Sequence, residues 1–103
     1  MAETMRVECD LDGCEGQHVD FKGTGWKFKH LRAWEDAPSS SQAVKVVSER
    51  IVGWNLTASG QPVIFKDGAG AFDELDPAVA RWLVSRAFLE AYNRAGQADP
   101  NGS

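Results

Sequence analysis

Cys9, Cys14, His18 and His30 are the cysteines and histidines of this chain, and two thiols with two imidazoles make the ligand set of a structural zinc site. Their spacing is C-x4-C-x3-H-x11-H, without the C-x2-C knuckle of the common zinc folds. A zinc-stabilised structural domain, in which the four hold a hairpin to the first helix, is therefore kept as an alternative. The favoured expectation is no metal, with both cysteines as small buried side chains in a reducing compartment. Asp12-Gly13 marks a hairpin turn. A four-residue loop over 10–13 would set Cys9 opposite Cys14, where they could share a metal or a disulfide; a two-residue loop would put Leu11 there instead.

Other chemistry is sparse. Asp10, Asp12 and Glu15 begin like a calcium loop but lack its later ligands and closing Glu. Glu8, Asp20, Asp73, Glu74 and Asp76 have no evident His or Lys partner, and there is neither a nucleophile elbow nor a phosphate-cradling glycine loop. The expectation is a protein without catalytic residues or cofactor. Lys22, Lys27, Lys29, His30 and Arg32 form one basic cluster, read as a solvated helix face because Glu35 and Asp36 follow it directly.

The elements that would position these residues follow from patterning. Residues 5–21 carry Val7, Cys9 and Leu11 before the turn and His18, Val19 and Phe21 after it, which predicts a two-stranded hairpin. Trp26, Phe28, Leu31 and Trp34 suit one side of a short helix capped by Thr24, and Trp26, Trp34 and Trp54 are expected in the core. Val44, Val47, Ile51 and Val52 recur at helical spacing opposite Lys45, Ser48, Glu49 and Arg50, predicting a helix over 42–53 with Ser41 as cap and Gly53 as stop. Gly60 and Pro62 break the chain before a short strand over 63–65, and a glycine-rich turn covers 66–70. The closing helix, 77–95, has Asp76 as N-cap, Pro77 in its first turn and Gly96 beyond its end. Its apolar residues fall on two nearly opposed sides, Val79, Trp82 and Leu83 against Val84, Ala87, Phe88, Ala91 and Ala95.

A chain of 103 residues predicts one domain, placed here at 1–96 with a disordered tail at 97–103. The class expected is α+β: an N-terminal β-hairpin followed by a small bundle of about three helices. A net charge of −4 argues against nucleic-acid binding, and no apolar run reaches the ~20 residues that span a bilayer. No secretory signal pattern opens the chain, so Asn55-Leu56-Thr57 is read as turn chemistry rather than a glycosylation site.

Val52, Gly53, Trp54, Asn55, Leu56 and Thr57, with the turn residues Gly60 and Pro62 and the helix that follows, resemble the small tail assembly chaperones of long-tailed bacteriophages. The resemblance covers about the last two-thirds of the chain and has no counterpart for residues 9–25. It implies a non-catalytic protein of the host cytoplasm that binds the tape measure protein, or the tail tube protein, during tail building. A permanent connector or tail subunit of the virion is the neighbouring possibility. On the two-sided closing helix, Trp82, Leu83, Phe88 and Tyr92 are the expected partner-binding residues, with self-association as another way to cover the second side.

Overall fold

Strict alternation builds the first layer. In the computed structural model, which describes residues 4–65 and 69–98, β1 (Thr4–Glu8) and β2 (His18–Lys22) pair antiparallel with Val7 opposite Val19 and Met5 opposite Phe21. Val7, Val19 and Phe21 point into the core, while Arg6, His18 and Asp20 lie on the solvent face, where Arg6 and His18 both approach the Asp20 carboxylate. A third strand, β3 (Ile51–Trp54), adds antiparallel to β2, giving the sheet order β1-β2-β3 with an irregularity between Asp20 and Phe21.

This third strand corrects the helix expected over 42–53. The helix, α2 (Ser40–Ser48), is capped by Ser39, whose hydroxyl accepts from the Gln42 N–H, and it ends before Ile51. Ile51 and Val52 are β-branched and fit a pleated strand better than a helix terminus. A turn at Glu49 and Arg50 delivers Ile51 to the same core as Val47, so a helical and a mixed reading both bury it. Before α2 lies α1 (Phe28–Glu35); it starts from Lys27 rather than Thr24, and Phe28 is 63% exposed instead of inward.

Beyond β3, the two-residue strands β4 (Thr57–Ala58) and β5 (Gln61–Pro62) form a hairpin. Ser59 and Gly60 both have positive φ, 53° and 80°, the conformation of a type I′ turn. No strand forms over 63–65, and most of the turn expected at 66–70 lies outside the described residues; a 3-10 turn covers Ala69–Glu74.

The closing helix begins as expected after Asp76, with Pro77 in its first turn, but it is not a regular α-helix. It comprises α3 (Pro77–Trp82), a π-helical turn (Leu83–Ala87) and α4 (Phe88–Ala98). A π turn holds one residue more than an α turn, and this one shifts the phase between the two apolar sides. Val79 and Trp82 before it, Leu83 and Ala87 at its two ends, and Phe88 and Ala91 after it are consequently all buried in one core with the sheet and α2. Trp34 supports the turn from α1: its indole N–H donates to the Val84 carbonyl at 2.7 Å, and its ring stacks on Phe88 with centroids 5.5 Å apart. The Ser85 hydroxyl donates to the Arg81 carbonyl at 2.6 Å, a side chain bonding back into the ladder where it is loosened. The helix passes Gly96, so residues 97 and 98 of the expected tail are helical; the rest of that tail lies outside the described residues.

Candidate functional site: an apolar groove beside the sheet edge

Where β3 ends, the chain turns and comes back alongside itself. Leu56 is buried as a floor, its carbonyl accepting from the Val63 N–H at 3.0 Å. Trp54 spans the gap, donating its indole N–H to the Val63 carbonyl at 2.7 Å and meeting Phe65 and Phe72 edge-on at 4.9 and 5.5 Å. The space between these segments is a groove of about 340 Å³, lined by residues 52–56 and 62–65. Val52 on β3 and Ile64 opposite it are 50% and 69% exposed, two of the large apolar side chains that the fold leaves in water.

Asn55 fixes this region to the first hairpin. Its Oδ1 accepts from the His18 N–H at 2.7 Å, its Nδ2 donates to the Gly16 carbonyl at 3.1 Å, and its own N–H reaches the His18 carbonyl. Next to it, the Thr57 N–H donates to Gln17 Oε1 at 3.0 Å. The residues read as local turn chemistry are thus long-range ties between the β1–β2 loop and the groove. Among the described residues the lining contains no acid, base or thiol, so it has no group to move a proton or attack a bond; it can exclude water from an apolar ligand. Because β3 pairs with β2 alone among the described strands, the groove lies along a sheet edge.

The residues expected at a partner surface lie elsewhere. Trp82, Leu83 and Phe88 are 4%, 0% and 0% exposed, and only Tyr92 reaches the surface, half-buried against Trp26. The π turn is the reason: by bringing both apolar sides of the helix to the sheet, it leaves no second stripe for a partner. The zinc quartet is not assembled either. Cys9 and Cys14 form a disulfide, correcting the expectation of two free thiols; His18 faces Asp20, and His30 belongs to α1 beside Trp26. No cluster of three or more His, Cys, Asp or Glu suited to a metal occurs among the described residues.

The sequence reading misses the groove because it places Val52 on a helix face and residues 63–65 in a short strand. The available signal was the pair of β-branched residues before Gly53, which favours a strand. Comparison with protein-family models, curated proteins and solved structures finds no match.

Proposed function

We propose that this protein is a non-catalytic binding protein that receives an extended apolar segment of a partner in the groove along β3, as a tail assembly chaperone of a long-tailed phage. The observation carrying this reading is a coincidence of residues. Of the residues that carry the resemblance, Val52, Gly53, Trp54, Asn55, Leu56 and Pro62 line the groove, while Thr57 and Gly60 do not. They stand on a strand and hairpin here rather than at a helix end, which changes the mode of capture from helix packing to strand addition. An extended segment beside β3 would find unpaired backbone groups along the edge and pockets for alternate side chains between Val52, Trp54 and Ile64.

On the resemblance, the partner is the tape measure protein or the tail tube protein, shielded until assembly displaces the chaperone. The lining suits passive shielding: apolar contact and backbone pairing hold a segment without altering it. Co-expression of the chain with tape measure and tail tube proteins from the same genome tests this. The expected result is a complex that survives gel filtration with one of them; failure of both to bind would remove the chaperone reading while leaving the groove to be tested with other apolar segments.

A further inference from the structure

Among the described residues, Arg50 is a buried cation without an anion. It is 8% exposed, and among the described residues no carboxylate forms an ion pair with it. Its Nη2 donates to the Thr24 carbonyl at 2.6 Å, its Nε has no partner, and its guanidinium lies 4.6 Å from the centre of the Trp26 ring. A buried charge with one neutral acceptor and an aromatic face is poorly compensated, since such groups are ordinarily paired. The segment wrapped around it is equally specific. Gly25, at φ 81°, brings its α-carbon against the guanidinium, where a Cβ would stand 3.6 Å from Nη2 and 3.8 Å from Nη1. The Trp26 indole N–H is tied to the Lys22 carbonyl at 2.6 Å, and the Lys22 N–H to the Arg50 carbonyl at 2.8 Å.

Other basic residues belong to the same segment of chain. His30 packs edge-on to Trp26, and its Nδ1 accepts from the Lys27 N–H at 2.8 Å, so the neutral ring carries its proton on Nε2 as a donor. Burial, then the charges of Arg50 and Lys29, hold the imidazole below its ordinary pKa, while Glu49 acts the other way without pairing with Arg50. Lys22, Lys27 and Lys29 are exposed, and Lys29 is close enough for its charge to act on His30. The lysines read from sequence as a solvated face are exposed as expected, and the segment that carries them also packs on the guanidinium of Arg50 from a different part of the chain.

We propose that residues 23–27, with Arg50, His30 and the flanking lysines, bind a small phosphate or phosphomonoester dianion. A compact dianion suits Arg, Lys and imidazole donors. A long polyanion does not, because the chain as a whole carries −4 and would repel it. The site is separate from the groove and does not rest on the chaperone reading.

The test is an NMR titration of the full chain with inorganic phosphate, and separately with glycerol phosphate, at ionic strength held constant with chloride. Saturable shifts centred on the Gly25 amide, the Trp26 indole and the His30 ring are expected for one or both, the tighter ligand marking the source of the dianion. The exposed double variant Lys27→Ala/Lys29→Ala should weaken binding roughly tenfold. Lys45→Ala, on the exposed side of α2, should leave it unchanged. Unsaturable shifts with both ligands, or equal weakening in the Lys45→Ala control, would overturn the proposal and leave Arg50 as a structural brace for the turn.

Discussion

At the scale of single residues, His30 links the fold to pH. Burial and neighbouring positive charge lower its folded pKa below the ordinary 6.5, so between those two values the unfolded chain binds more protons than the folded one. Its contribution is complete above 6.5 and declines as pH falls through the folded value. Denaturant midpoints measured from about pH 7.5 down to about pH 5 should therefore drop, and His30→Gln should flatten that slope. An unchanged slope would mean that other groups dominate. The disulfide is a second residue-scale case. Cys9 and Cys14 are separated by five positions, and closing so short a loop contributes only about 2 kcal/mol in the chain-entropy account. The Asn55 and Gln17 bonds hold the same loop independently. Reduction should thus lower stability by about 2 kcal/mol or less and leave the circular dichroism spectrum intact.

Among the elements, the hairpin and the start of the closing helix were legible because each is written locally. Val7, Val19 and Phe21 alternate with polar neighbours, and Asp76-Pro77 opens a helix by backbone chemistry alone. Two features were not legible. Residues 44–51 satisfy a helical period although only Ser40–Ser48 is helical, because the following turn carries Ile51 into the same core. The π turn defeated a period count for the opposite reason. Omit one residue within Leu83–Ala87, and the buried positions Val79, Trp82, Leu83, Ala87, Phe88 and Ala91 fall at i, i+3, i+4, i+7, i+8 and i+11, a single amphipathic stripe. Deletion of Ser85 should accordingly be tolerated, giving a regular α-helix with the same buried side chains. Deletion of Glu90, outside the turn, should rotate Ala91 and the residues after it away from the core and lower stability. Thermal unfolding of the two deletions decides the point; equal damage from both would show that the turn is not a one-residue insertion in an otherwise regular stripe.

For the whole molecule, the structure buries the helix residues expected to meet a partner and leaves an apolar groove open beside the sheet edge. The helix expected to be half free is enclosed by the sheet, α1 and α2, so substitutions such as Phe88→Ala should act on stability, by about 3 to 5 kcal/mol, rather than on binding alone. The groove was invisible in the sequence because its two walls, 52–56 and 62–65, meet only once the β4–β5 hairpin reverses the chain. The account stands on that groove being the place where a partner is held. Its most direct test is affinity for the co-expressed tail protein, measured for wild type and for Val52→Asp/Ile64→Asp, whose sites are both exposed and whose circular dichroism should match wild type. Loss of binding by at least about tenfold, with folding intact, is the predicted result. Undiminished binding by the folded double variant would contradict the assignment of this groove as the partner site.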